Sequence, residues 1–233
     1  MLDFSRFELL TFDCYGTLID WESGIFSAVL PILEAHGKTL PDADVLELYG
    51  ELEAEAESGP FQPYREVLQA VVRGFGERLG FVPSEAEIGS LPESLARWSP
   101  FPDTVRALRR LKKQYKLAIL SNVDDDLFAL TVPKLEVDFD AIVTAQQARA
   151  YKPSLRIFRL AEERTGVPRD RWLHVGQSMY HDVIPAQSLS LATVWVNRPS
   201  PRAGIGAVKA VSGRPDCEVS NLAMLADLAA NRP

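Results

Sequence analysis

Leu9-Leu10-Thr11-Phe12-Asp13-Cys14-Tyr15-Gly16-Thr17-Leu18 is the stretch that decides how this chain folds. Apolar residues run up to Asp13 and the pattern breaks at Gly16-Thr17, as in a buried strand that delivers one carboxylate to the edge of a sheet. Asp13 is the candidate nucleophile, and the rest of the chain must supply it with partners.

Residues 21–100 carry helical periodicity and no convincing strand. Helices are expected over 24–36, stopped by Gly37; over 42–57, stopped by Ser58-Gly59-Pro60; over 64–79, stopped by Gly80; and over 84–98. Glu47, Glu51, Glu53, Glu55 and Glu57 read as a solvated face of the second of these helices. From Phe101 the pattern alternates. An amphipathic helix over 103–115, with Val105, Leu108 and Leu111 on one face, precedes a strand over 116–122. A helix from about 124, a strand over 139–144 and a helix over 153–165 ending at Gly166 follow. A strand over 172–176, a helix near 183–189 and a strand over 192–196 complete the series. Such alternation predicts an α/β fold with a doubly wound parallel sheet. Beyond Asn197, residues 198–201 and 204–206 read as a loop and 221–230 as a closing surface helix.

Ligands of doubly wound sheets sit at the carboxyl ends of the strands. Here those ends are Asp13; Ser121-Asn122; Thr144, followed by Tyr151-Lys152; and Gly176-Gln177-Ser178, followed by Asp182. Four strand ends that carry a Lys and two Asp between them point to one chemical site.

Composition narrows the partner. The 233 residues have a formal net charge of -7, with 46% hydrophobic and 24% charged residues. That balance gives no broad attraction to nucleic acid or to an anionic membrane, so a small molecule is expected, an anionic one needing a local basic pocket. No apolar run approaches the roughly 18 residues of a membrane span, and the first six residues lack a signal-peptide pattern, so a cytoplasmic location is expected. Cys14 and Cys217 make no disulfide framework, and Cys14 suits a small buried filler.

Four motifs carry a resemblance to a known family. Phe-Asp-Cys-Tyr-Gly-Thr-Leu at 12–18, Leu-Ser-Asn at 120–122, Tyr-Lys-Pro at 151–153 and Gly-Gln-Ser-Met-Tyr-His-Asp at 176–182 resemble, in order, those of the haloacid dehalogenase superfamily. The resemblance implies a Rossmann-like core formed by 1–20 and 101–233, with 21–100 inserted as a helical cap. Phosphatases of that superfamily carry an acid two residues after the nucleophile and a magnesium-binding acid in the fourth motif. This chain has Tyr15 and Gln177 there. Without a metal, an attacking carboxylate is strongly repelled by a phosphoryl group. A 2-haloacid is a monoanion whose halide leaves without a proton. The chain is thus similar to the metal-independent L-2-haloacid dehalogenases, which implies no cofactor and no metal. Asp13 would displace halide with inversion to form an ester that water hydrolyses.

The same resemblance distributes roles. Lys152 pairs with Asp13 and keeps it ionised, Thr17 hydrogen-bonds it, and Ser121 with Asn122 holds the substrate carboxylate. Asp182 positions or activates water, or serves only as a partner for Lys152. Cys14, Tyr15, Gln177, Ser178 and His181 are further substrate-contact candidates, and Trp21, Tyr64 and Trp98 are candidates for an apolar wall. Well-studied members take halide with an Arg early in the cap; here the first cap Arg is Arg65. They also place an Asn three residues before the last Asp, where this chain has Met179. The text around 12–22, 101–105 and 178–182 resembles as well a branch that opens the ring of azetidine-2-carboxylate, with His181 or Tyr180 as proton source. A phosphatase with altered metal ligation and a non-catalytic binder are the remaining alternatives. Related dehalogenases are often homodimers.

Overall fold

The computed structural model describes residues 2–198, 207 and 211–230. Its strands are β1 (Leu9–Phe12), β2 (Lys116–Ser121), β3 (Ala141–Thr144), β4 (Trp172–Gly176), β5 (Ala192–Val196) and β6 (Cys217–Val219). They form one sheet in the order β3-β2-β1-β4-β5-β6, and every neighbouring pair is parallel. The chain builds outward from β1 to β3, then crosses back to start β4 on the other side of β1. Strand order reverses there, which opens a crevice at the carboxyl ends of β1 and β4.

β1 lies at the centre because it is apolar in both directions. Leu9 packs into the layer with Ile157, Phe158 and Trp172, while Leu10 and Phe12 pack into the opposite layer with Leu117, Ile119 and Val175. Each such fully buried side chain contributes about 1.5–3 kcal/mol.

Between β1 and β2 come α1 (Trp21–Ala35), α2 (Asp42–Glu57), α3 (Tyr64–Leu79), α4 (Glu85–Ser94) and α5 (Thr104–Leu111). α2 packs on α3, and α4 on both α1 and α3. The chain leaves the sheet and returns to it side by side: Asp20 N–H donates to Ser99 O (2.9 Å) and Phe101 N–H to Leu18 O (3.0 Å). Residues 21–97 thus hang from the carboxyl end of the sheet as an all-helical segment. α3 stops at Gly80, whose φ of 72° places it in the left-handed region. α4 starts with a capping box between Ser84 and Glu87.

After β2 follow α6 (Asp125–Ala129) and α7 (Val132–Leu135); after β3, α8 (Ala145–Ala148) and α9 (Arg156–Thr165); then α10 (Ile184–Ser188) and α11 (Leu222–Ala230). Several expected elements are shorter. The helix expected over 84–98 ends at Ser94 and tightens into a 3-10 turn, Leu95–Arg97. The one expected from 124 divides into α6 and α7, with Pro133 in the first turn of α7, where its missing N–H costs nothing. β6 has no counterpart in the sequence reading: three residues are too few for a period to register. The expected loop residues 199–201 and 204–206 lie outside the described residues.

Candidate active site

Asp13 follows β1 directly, and its N–H donates to Val175 O (2.9 Å), which locks the end of β1 to β4. The next turn needs Gly16: its φ is +91°, and a Cβ there would lie 3.1 Å from Trp21 Nε1. That turn swings Thr17 back onto the Asp13 carboxylate. Thr17 Oγ1 donates to Asp13 Oδ2 (2.7 Å) and accepts from Gln177 N–H (2.9 Å), so the hydroxyl proton can point only at the carboxylate.

Lys152 reaches Asp13 from beyond β3. Its Nζ donates to Asp13 Oδ1 (2.8 Å), Asp182 Oδ1 (2.6 Å) and Leu120 O (3.0 Å), which uses all three N–H groups. The Asn122 side-chain amide brackets the Lys152 backbone, accepting from its N–H (2.7 Å) and donating to its carbonyl (3.2 Å). Asp182 stands on a π-helical turn, Met179–Val183, and lies against Gly176, where a Cβ would come within 2.5 Å of the Asp182 Cβ. Glycine at 176 is thus what admits the aspartate.

Charge divides unevenly within this cluster. Burial favours a neutral amine at Lys152, but the two carboxylates override it and hold the ammonium above its usual range. Burial likewise opposes ionisation of Asp182, yet Lys152 and then His174 outweigh it and hold the carboxyl well below the ordinary range. Asp13 goes the other way: burial raises it, Asp182 adds to the rise, and Lys152 and Thr17 oppose.

His174 was not legible as a site residue. It pairs in register with Thr11 across β1 and β4, and it is buried. Trp172 Nε1–H donates to Thr11 Oγ1 (2.6 Å), the Thr11 hydroxyl lies 2.8 Å from His174 Nδ1, and His174 Nε2 lies 3.2 Å from Asp182 Oδ1. The Asp182 carboxylate can only accept, so it is Nε2 that carries a proton at that contact, while the Thr11 hydroxyl accepts from Trp172 and meets Nδ1. A His in the otherwise apolar run Trp-Leu-His-Val-Gly was the only signal in the sequence.

A cavity of about 60 Å³ opens beside Asp13. It gathers Asp13, Lys152 and Asp182 with Ser121, Asn122, Gln177 and Ser178, all anticipated at or just beyond strand ends, and with His181, a substrate-contact candidate. Tyr15, Trp21 and Tyr64 also face it. The Tyr15 hydroxyl bonds Thr131 Oγ1 (3.0 Å), and burial pushes it up so that it stays protonated.

Four expectations need correction. Cys14 is wholly buried in the core and absent from the cavity, and burial pushes its thiol up, so it is a neutral filler. Arg65 points away: its guanidinium pairs with Asp126 (2.7 Å) on the surface. Trp98 is buried behind the site, donating to Ser94 Oγ (2.9 Å). The acidic run on α2 is not one solvated face. Glu51 and Glu55 pair with Arg78 outside, whereas Glu53 and Glu57, four residues apart, line the cavity. Met179, at the position of the missing Asn, packs toward Gly213 and not into the cavity.

The donor set does not suit a divalent cation: Tyr15 and Gln177 stand where acids would be needed and add no charge, and among the described residues no group of three or more His, Cys, Asp or Glu is arranged around a common point.

A carboxylate oriented by a lysine and a threonine at the switch point of a doubly wound sheet defines a hydrolase that works through a covalent aspartyl intermediate. Residues 7–189 match the model of the haloacid dehalogenase-like hydrolases, and the chain belongs to that family. It is 27% identical over 229 residues to (S)-2-haloacid dehalogenase H-109 of Pseudomonas putida, covering 94% of this chain and 96% of that one. It is 29% identical over 203 residues to haloacetate dehalogenase H-2 of Moraxella sp. (strain B), covering 83% and 87%. An L-2-haloacid dehalogenase from Xanthobacter autotrophicus with chloropropionic acid covalently bound shares the fold, with a TM-score of 0.81 at 22% identity over 97% of this chain and 100% of that one.

Proposed function

We propose that this enzyme hydrolyses small 2-substituted carboxylic acids without a metal, as an (S)-2-haloacid dehalogenase, with residues 21–100 acting as a cap over a core of 1–20 and 101–233. The observation that carries the reading is the Asp13 carboxylate, held between Lys152 Nζ and Thr17 Oγ1 and facing a small cavity, with Tyr15 where a phosphatase keeps its acid. An Asp13 oxygen attacks C2 of the acid, the carbon–halogen bond breaks, and halide leaves with its electron pair. Water then adds to the Asp13 acyl carbon and releases the 2-hydroxy acid, one proton and the free carboxylate. Asp182 is too weak a base to take a proton outright, because its carboxyl is held well below the ordinary range by Lys152 and His174 against burial. Among the described residues its Oδ2 accepts from the Ser178 N–H alone (3.2 Å), and the open lone pair there orients the water. The enzyme works in the cytoplasm on a soluble substrate.

Halide release from (S)-2-chloropropionate tests the reading. Release persists in EDTA and falls by about 10⁴-fold or more in Asp13→Asn; one turnover in H₂¹⁸O places label in the Asp13 peptide. Magnesium-dependent phosphate release with no halide release is the result that overturns it.

A further inference from the structure

Thr17 aims its hydroxyl at Asp13, and the peptide that follows Thr17 is gripped at both ends. The Leu18 N–H donates to Cys14 O (2.7 Å), and the Thr17 carbonyl accepts from Arg198 Nε (3.0 Å). A fixed peptide plane fixes the direction of the Thr17 Cα–Cβ bond, and a β-branched side chain then has few rotamers to choose from. Arg198 is not among the residues that line the cavity, yet it acts on where the Thr17 hydroxyl points.

Arg198 stands two residues beyond the end of β5, on the same edge of the sheet as Asp13. Its guanidinium is held on every side. Nη1 and Nη2 donate to Asp103 Oδ1 (2.9 Å) and Oδ2 (3.2 Å), and the group lies 3.9 Å from the centroid of the Phe101 ring. Asp103 is anchored in turn, since its Oδ2 accepts from the N–H of Leu222, the first residue of α11 (2.7 Å). The Arg198 and Asp103 side chains are 11% and 19% accessible, so solvent screens this pair far less than a surface one. Burial opposes the charge on Asp103, but Arg198 and the Leu222 N–H outweigh it and hold the carboxyl below its ordinary value. The grip also spans both segments that join the sheet to the helices of 21–97, because Phe101 N–H donates to Leu18 O (3.0 Å). A pair that only tied β5 to α5 would be satisfied by Nη1 and Nη2. The Nε donor at Thr17 is the contact that such a tie does not need.

We propose that Arg198 is a positioning residue: through the Thr17 carbonyl it fixes the hydroxyl that orients Asp13 for attack, a role that rests on the hydrolase reading above. Arginine suits the task because Nε and the two terminal nitrogens lie in one rigid plane, so a fork locked on Asp103 fixes the third donor as well. Lysine carries a methylene at the place of Nε. Arg198→Lys therefore keeps a positive charge for Asp103 and deletes the donor to Thr17.

A double-mutant cycle with Thr17→Val tests the role. In Arg198→Lys, kcat for halide release from (S)-2-chloropropionate falls about ten- to hundredfold. Binding of propanoate, which has no leaving group, stays within about twofold of wild type by calorimetric titration, because Arg198 does not touch the cavity. Thr17→Val lowers kcat at least as far, and adding Arg198→Lys to it changes kcat by less than about threefold, since the hydroxyl that Arg198 aims is gone. An unchanged kcat in Arg198→Lys, or equal losses in the wild-type and Thr17→Val backgrounds, overturns the proposal. Should Arg198→Lys fail to fold, Asp103→Asn decides by the same cycle: it leaves Nε in place and loosens the far end of its grip, so kcat falls several-fold in the wild-type background and not in Thr17→Val. No loss, or the same loss in both, overturns the proposal there too. A wild-type protein that releases no halide sinks the hydrolase reading, and the role of Arg198 is then read from the ¹³C resonance of the Asp13 side-chain carboxyl, assigned by its absence in Asp13→Asn. That resonance moves in Arg198→Lys as it does in Thr17→Val; a resonance unmoved in Arg198→Lys overturns the role.

Discussion

The two walls of the cavity treat buried charge in opposite ways. On the sheet side, Asp13 and Asp182 share one lysine whose every N–H is used, Thr17 and Ser178 donate to the other two oxygens, and His174 meets the Asp182 oxygen that the lysine bonds. On the helical side, Glu53 accepts from two phenols, and among the described residues Glu57 has no hydrogen-bond partner and no ion pair reaches either. A wall that balances its own charge is rigid before substrate arrives, which is what a nucleophile needs. α2 shows the contrast within a single helix, since its outward acids Glu51 and Glu55 are given Arg78 and its inward ones are not.

Lys152→Ala breaks the balanced wall most severely. Two buried carboxylates lose the ammonium they share, and removal of one partner from a buried pair costs about 3–5 kcal/mol. Chemical denaturation of the variant reads that loss, and halide release falls to background. An unchanged denaturation midpoint would mean that Asp182 is held by His174 and Ser178 alone.

His174→Phe is expected to cost about 1–3 kcal/mol, because Thr11 loses its acceptor and Asp182 a donor. The sign of its pH effect follows from linkage. The Asp182 carboxyl is lower in the folded state than its ordinary value, so its contribution is fully present above that value and is lost as pH falls through the lowered one. Removing the His174 donor raises Asp182. The acid unfolding midpoint therefore moves to higher pH, and the acid limb of kcat/KM moves up with it. An acid limb that stays in place would assign it to Asp13 alone, whose carboxyl burial already raises.

The smallest effect belongs to Arg65→Ala. The Arg65–Asp126 pair is solvent-exposed, with side chains 40% and 65% accessible, and such pairs contribute about 0–1 kcal/mol. Turnover within about threefold of wild type is expected, since a surface pair of that size acts on nothing in the cavity. A large rise in KM for haloacids would show instead that Arg65 swings inward to take the halide.

Much of this architecture is legible in the residues themselves. The apolar run into Asp13 marks the central strand, and strand–helix alternation after Phe101 gives a parallel sheet whose carboxyl ends bear Ser121, Lys152 and Asp182. Periodicity and strand-end polarity are local properties, and a parallel sheet turns them directly into one site. β6 escapes notice because three residues show no period, and the π-helical turn at Met179–Val183 because its register depends on Asp182 packing against Gly176.

What the sequence alone determined is which side chains stand at or beyond the strand ends, Asp13, Ser121, Lys152 and Asp182 among them, and that Tyr15 occupies the place of a phosphatase acid, because each is an identity at a position set by a local pattern. Only the tertiary structure decided which charges meet. His174 looks like any residue of an apolar strand until β1 and β4 pair and bring Thr11 and Asp182 to its two ring nitrogens. Glu53 and Glu57 look like their neighbours Glu51 and Glu55 until α2 is laid over the carboxyl end of the sheet. A helix repeats every 3.6 residues and says which side chains share a face; what that face meets is set by packing with distant segments.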